Sequence, residues 1–305
     1  MVSYVYRRAL QSIVVLLGIS AVVFVVTLLT GDPVRALLGE AATEADIQAY
    51  RAQLHLDKPL PIQYVMFLTR AVRLDFGDSL RYREPALDLV LERLPATLSL
   101  GGAALFVLLL FALPAGLLSA MKHGTLWDSL IQSVVLFMQS VPVFLSGVLL
   151  ILLLGVHWQV LPTSGYGTLQ HLVMPAATLG MYSAVRVARM LRASMLEVFD
   201  QHYVRTARAK GLPERAVSLK HALRNALIPV ITLVGMETGM LLGASVVTET
   251  VFAWPGIGQL LVNAIYSRDF PLVQGAVLLI AFMFLIINLA VDLVYAVIDP
   301  RIRYG

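Results

Sequence analysis

Ala96–Met121 reads ATLSLGGAALFVLLLFALPAGLLSAM, a stretch of 26 residues without one formal charge. Hydrocarbon offers no water to backbone N–H and C=O groups, so only a helix satisfies such a stretch in lipid. About 20 residues cross the roughly 30 Å involved. Ala9–Leu29 and Ser129–Gly155 are equally free of charge and long enough to span. Leu172–Val185 is shorter and runs into Arg186, Arg189 and Arg192. Their long stems can snorkel to headgroups, which extends that helix to about Leu196. Ala226–Val247 carries one acid, Glu237, and Val273–Ile298 carries Asp292. The fold class this predicts is an all-α, polytopic membrane protein with six transmembrane helices.

Composition points the same way. Of 305 residues, 58% are hydrophobic and only 14% charged, with a mean hydropathy of +0.80. Soluble domains carry about a quarter charged residues, and this deficit argues against disorder, nucleic-acid binding and a free cytosolic enzyme. Cysteine is absent, which removes disulfides and thiolate chemistry. The Lys/Arg bias sets orientation. Arg7, Arg8, Lys122, the basic stretch Arg186–Arg224, Arg301 and Arg303 fall on one side of a six-span arrangement. That side totals +9 against −3 for the other. Both termini are therefore expected to be cytoplasmic. Trp127 then sits at the inner boundary, and Trp158 and Trp254 at the outer one. The first segment ends in Thr30-Gly31-Asp32-Pro33 without a small-residue cleavage pattern and reads as an uncleaved span.

The expected organisation is a cytoplasmic N-terminus and first span over 1–29, then an extracytoplasmic helical subdomain over 30–95. A transmembrane core over 96–298 has spans near 96–121, 129–155, 172–196, 226–247 and 273–298. It is interrupted by a cytoplasmic loop at 197–225 and followed by a cytoplasmic tail at 299–305. In the outer subdomain Thr43–Leu54 reads as a helix with Thr43 as N-cap, stopped by Asp57-Lys58-Pro59-Leu60-Pro61. Ile62–Leu74 has helical apolar spacing suited to the outer membrane face, and Pro85–Leu94 forms a last short helix. This region is either a cap packed on the spans or a docking surface for an extracytoplasmic partner.

Met195–Asn225 is longer than a connector needs to be. It reads as a polar helical stretch from Asp200 to Lys210, a break at Gly211, and a helix opened by Pro213 and Glu214. As a basic loop it serves as a positive-inside anchor on anionic lipid, or as a rigid knob held by a cytoplasmic partner. In the fifth span, Gly235, Gly239 and Gly243 recur every four residues, a stripe for close helix packing. Glu237 lies midway in that span and is expected to line a translocation pathway or to form a buried pair with another subunit. Arg186 fits either role, and Asp292, nearer a boundary, fits a structural bond.

The residues of the loop also resemble a known pattern. Tyr203-Val204-Arg205-Thr206-Ala207-Arg208-Ala209-Lys210-Gly211-Leu212 is similar to the cytoplasmic motif of ATP-binding cassette importer permeases, Glu-Ala-Ala, three residues, then Gly. Arg205-Thr206-Ala207 occupies the triplet and Gly211 falls in place; Ser218 and Leu223 match looser positions. Arg in place of the leading Glu, and Leu223-Arg224 in place of Leu-Pro, look like the dipeptide, oligopeptide and nickel uptake branch. Thr30–Pro33, Leu56-Asp57-Lys58-Pro59-Leu60, Asp75-Phe76-Gly77 and Arg93–Leu98 carry the same likeness. So do His221–Ala226, Phe252-Ala253-Trp254-Pro255-Gly256 and Asp299–Arg303.

The resemblance implies a type I importer permease that moves dipeptides or oligopeptides, or else a nickel or metal chelate or a glutathione-like peptide. It implies a second homologous permease subunit, two cytoplasmic ATPase subunits, and an extracytoplasmic solute-binding protein, in a bacterial inner membrane. Tyr203, Arg205, Thr206, Ala207, Arg208, Lys210, Gly211 and Leu212 would be the ATPase-coupling loop, and Glu237 and Arg186 the pathway candidates. No catalytic, cofactor or metal residue is expected in this chain; ATP and Mg would sit on the ATPases. Consistent with that, the chain has no Gly-x-x-x-x-Gly-Lys-Ser/Thr loop, no His-Glu-x-x-His and no Gly-x-Ser-x-Gly. His157 and His171 are fourteen residues apart in no ligand motif. The rival classes are an ion-coupled secondary transporter, which would show inverted repeats and broken spans, and a membrane scaffold whose basic loop binds lipid only.

Overall fold

The computed structural model describes residues 2–29, 34, 43–53 and 57–298. The motif residues Thr30–Pro33, Leu56 and Asp299–Arg303 lie outside that set. The helices are α1 Val2–Leu29, α2 Glu44–Gln53, α3 Leu60–Val72, α4 Ala86–Met121, α5 Leu126–Ser140, α6 Val143–Leu150 and α7 Leu169–Phe199. They continue with α8 His202–Ala209, α9 Glu214–Ala216, α10 Leu223–Val251, α11 Ile257–Tyr266 and α12 Phe270–Ile298. Two π-helical segments, Ile151–His157 and Val217–Ala222, extend α6 and join α9 to α10. Among the described residues four helical stretches are long and apolar enough to cross a membrane: Tyr6–Thr27, Ala86–Met121, Glu214–Val251 and Phe270–Leu293. The bent pair α5 and α6 supplies a fifth.

Several expected boundaries move, each for a local reason. The third span is not straight: α5 and the helix that starts at Val143 meet at 102°. Pro142 lacks an N–H and drives Val141 out of the helical region, to φ −90° and ψ 122°. Pro95, by contrast, interrupts nothing. The φ it fixes is already helical, so the expected short helix before it fuses with the second span into the 36-residue α4. Pro61 lies in the first turn of α3, a position where proline is favoured. The fifth span likewise begins well before Ala226, because α9, the π segment and α10 run on without a break from Glu214. The short apolar helix α11 stands in what the sequence left as an outer loop.

The chain divides into two compact units, one of Leu98–Trp254 with Ile286–Gly305, the other of Val2–Thr97 with Pro255–Leu285. In the second, Tyr64 and Phe67 of α3 pack on Phe24 of α1, with ring centroids 5.4 and 5.8 Å apart. The Tyr64 hydroxyl lies 2.8 Å from Ser20 Oγ. Thus α3 is packed alongside α1, the arrangement of a cap. Ala86, Leu89 and Val90 of α4 form a core with Ile257 and Leu260 of α11 and Leu272 and Ala276 of α12. Thr97 Oγ1 accepts the Ile257 N–H at 2.8 Å, which caps α11 in place of a side chain that Gly256 lacks. The fully buried Asp269 accepts the Ser79 hydroxyl, the Arg81 N–H at 3.2 Å and the Leu272 N–H at 3.3 Å, and so ties the turn after Gly77 to the start of α12.

In the first unit α7 is buried along most of its length, chiefly against α10 and α6. Its closest backbone approach is to α4. A Cβ on Gly116 would fall 2.6 Å from the Ala188 carbonyl oxygen, and one on Gly180 would collide with that of Ala104. Trp254 is buried, edge-on to the Tyr166 ring at 4.8 Å.

Candidate functional site: a helical elbow and a buried ion pair

The loop identified by sequence folds as an elbow whose parts are held by local interactions. Val204 and Ala207, three apart on α8, are buried against Val217 of the π segment, with Val198 and Phe199 from the end of α7 packed around them. The other six residues of α8 are exposed, Tyr203, Arg205, Thr206 and Arg208 among them. The helix ends at Gly211, at φ +78°. Gly211 N–H bonds to the Arg208 carbonyl at 2.9 Å and Leu212 N–H to that of Ala207 at 3.4 Å. These are the two bonds of a Schellman closure, and they require a left-handed residue at the glycine position. Nothing lies within 4 Å of where a Gly211 Cβ would stand, so backbone conformation and not space selects glycine.

Two side-chain links brace the turn. Arg208 donates from Nε to Glu214 Oε1 at 2.7 Å, with its guanidinium 5.4 Å from the Phe199 ring centroid. Asn225 Nδ2 donates to the Tyr203 hydroxyl at 2.7 Å, tying α8 to α10. Arg208 is thus engaged inside the elbow, while Arg205, Lys210 and Leu212 remain exposed. The elbow is joined rigidly to two long helices, α7 at one end and α10 at the other.

Within those helices the structure brings the two sequence candidates together. Glu237 lies 14 residues from either end of α10 and is 1% exposed. Its Oε2 accepts a bond from Arg186 Nη2 of α7 at 2.8 Å. The buried-acid reading had looked to another subunit for a partner; the partner is in this chain. None of the three arginines of α7 depends on snorkelling. Arg189 bonds Gln139 of α5 at 2.9 Å, and Arg192 grips Asp128 with bonds of 3.0 and 2.8 Å. A carboxylate or amide at hand satisfies a guanidinium at lower cost than a stretched stem.

Sequence reasoning missed the network around Asp128. This buried carboxylate accepts the Ser119 hydroxyl and the Gly124 N–H as well as Arg192, and His123 lies 3.1 Å away. The signal present was an acid in the first turn after a charge-free span. Its partner, however, stands 64 residues further on. Of the glycine stripe, Gly235 and Gly239 are buried, whereas Gly243 is exposed with nothing within 4 Å of its Cβ position. Close approaches to another helix's backbone occur instead at Gly116 and Gly180, which no fixed spacing marks. His171 pairs with Thr168 at the start of α7, and among the described residues no group of three His, Asp or Glu side chains could hold a metal ion.

Residues 112–304 match the family of "Binding-protein-dependent transport system inner membrane component", and residues 1–101 match the N-terminal region of such membrane components. The chain belongs to this family. The permease is 42% identical over 305 residues to the glutathione transport system permease protein GsiC of Escherichia coli K12, covering all of both chains. It is 37% identical over 337 aligned positions to the dipeptide transport system permease protein DppB of the same strain, covering 100% of this chain and 99% of that one. A crystal form of the MetNI methionine ABC transporter, in an inward-facing conformation, superposes with a TM-score of 0.57 at 20% identity, over 69% of the permease and 96% of that chain. The permease therefore has the ABC importer permease fold. It is a multi-pass inner-membrane protein and, like its family, a membrane component and not an enzyme.

Proposed function

We propose that the permease forms half of the translocation pathway of an ATP-driven importer for short peptides, with dipeptides, oligopeptides and glutathione-like peptides as the cargo class. The single observation that carries this reading is the elbow: a short helix closed by a Schellman turn, presenting Arg205, Lys210 and Leu212 outward and fused to α7 and α10. Such a piece transmits a push as a rigid body, because its own core and turn hold it in one conformation. ATP and Mg would bind separate ATPase subunits, two per assembly, which pull on the elbow of this chain and of a second, homologous permease. A solute-binding protein would deliver cargo from outside. In this arrangement α7 is the fourth of six spans, both termini are cytoplasmic, and Glu237 and Arg186 line the path.

The names of the two full-length relatives support peptides as the class. Nickel or a metal chelate is the second reading, and no observation on the chain favours it. Purification in mild detergent with native mass spectrometry tests the assembly: a complex with a second permease and two ATPases is expected. Liposomes containing it should accumulate peptide only with ATP and loaded binding protein. A lone chain that transports by itself, or uptake driven by an ion gradient without ATP, overturns the proposal.

A further inference from the structure

The unburied side of α7 is a single stripe: Tyr182, Arg186, Arg189, Ala193 and Glu197 follow one another at helical spacing, while the residues between them are mostly buried. Beside it, α10 exposes Thr232, Met236 and Met240 on its own stripe. The two join where Arg186 Nη1 approaches Met240 Sδ at 3.8 Å and the Arg186 guanidinium lies 5.6 Å from the Tyr182 ring centroid. Two arginines one turn apart therefore stand mid-helix, with side chains about 5 to 6 Å apart at Cβ.

Their partners are unequal. Glu237 meets Arg186 end-on, through one bond to Oε2, and the Arg186 side chain is still 39% exposed. A thioether and a ring are weak partners for its remaining donors. Arg189 is held by Gln139, which is neutral, and among the described residues no acid pairs with it. Glu237 thus offsets Arg186 alone, which leaves this face with one positive charge, that of Arg189, opposed by no acid among the described residues. A planar guanidinium with open N–H groups is suited to one chemistry above others, a carboxylate received two bonds at a time.

Building on the peptide-import reading, we propose that Arg186 and Arg189 form a transient docking point for a carboxylate of the cargo as it passes this subunit. Glu237 keeps the Arg186 guanidinium in place with one bond, so that it is oriented before cargo arrives and does not collapse onto the acid in a two-bond grip. Met236, Met240 and Tyr182 give the rest of the peptide a yielding, weakly polar wall.

The test uses the assembled transporter in liposomes with its binding protein. Uptake of trialanine is compared with that of its C-terminal amide, each normalised to its occupancy of the binding protein. The wild type is expected to favour the acid about tenfold or more, the scale of losing charged hydrogen bonds. Arg189→Gln, which leaves the Arg186–Glu237 bond in place, should cut that ratio at least about threefold by slowing the acid alone. The Arg186→Gln/Glu237→Gln double variant, which leaves no buried charge unpaired, should bring it near one while loaded binding protein still stimulates ATP hydrolysis. A structural role would slow both peptides alike. A wild-type ratio near one, an unchanged ratio in Arg189→Gln, or an Arg189→Gln complex that has shed the second permease overturns the inference, the last by assigning this face to the subunit interface. Should the double variant not assemble, Arg189→Gln decides by itself. Failure of the wild type to import either peptide sinks the peptide reading itself, a result distinct from import without preference.

Discussion

The elbow and the arginines of α7 belong to the same compact unit, yet they are held by opposite means. In the elbow every important contact is made within about 22 residues: the Schellman bonds, Arg208 to Glu214, and Tyr203 to Asn225. The three arginines reach 51 residues to Glu237, 50 to Gln139 and 64 to Asp128. Water competes for the elbow's ion pair and weakens it, whereas Glu237 and Asp128, the acids that Arg186 and Arg192 meet, are buried from water, which makes a missing partner expensive there. The elbow is therefore a matter of backbone shape, and the α7 contacts a matter of charge.

This contrast ranks the expected outcomes. Asp128→Ala should be the most damaging, because it leaves Arg192 in the protein without its acid and also orphans Ser119 and Gly124. Loss of one partner of a buried pair costs about 3 to 5 kcal/mol. Folded yield after a heat challenge in detergent should fall sharply, and recovery in an Asp128→Ala/Arg192→Met double variant would identify the unpaired charge as the cause. A single variant as heat-resistant as the wild type would show that the network is loosely hydrated. Glu237→Gln comes next. It keeps shape and one acceptor, so about 1 to 3 kcal/mol is at stake. The complex should assemble, with altered uptake; loss of assembly would make Glu237 a structural acid and remove it from the path.

The same contrast explains what the sequence could and could not tell. Apolar length located four of the six expected spans and a fifth as a bent pair, and Gly211 with Pro213 located the elbow, because both signals are local and each has one physical meaning. Proline was less decisive. Pro95 sits inside α4 without effect, while Pro142 bends a span that otherwise reads as continuous. The residue before it decides that outcome, together with what packs on the other side of the bend. Glu237 and Arg186 were each conspicuous as ionisable groups in apolar surroundings, but their pairing depends on how α7 turns about its axis against α10, and no spacing within either helix encodes that. Gly116 and Gly180 were overlooked for the same reason. A repeat such as Gly235-Gly239-Gly243 attracts the eye, yet the backbone of α4 approaches α7 elsewhere.

At the elbow, Gly211→Val separates shape from stability. A β-branched residue at φ +78° is strained by about 1 to 2 kcal/mol or more, though it meets no neighbour. That is too little to unfold a protein of this size, but enough to open the turn. Uptake should fall more than about tenfold, with ATP hydrolysis retained and the complex still assembled. Unchanged uptake would remove Gly211 from the mechanism.

Arg208→Gln should have the smallest effect, although Arg208 lies in the loop and carries charge. Its pair with Glu214 is exposed on both sides, with side-chain exposures of 39% and 64%, so water already solvates much of each partner. Such pairs contribute about 0 to 1 kcal/mol and weaken further with salt. What Arg208 adds beyond the pair is contact with the Phe199 ring, which a glutamine stem partly replaces. Uptake should drop by less than about threefold, and the difference between variant and wild type should narrow as ionic strength rises. A loss as deep as that of Gly211→Val, insensitive to salt, would mean that the guanidinium meets an acid on a partner once water has been expelled from between them, and the elbow would then act through charge as α7 does.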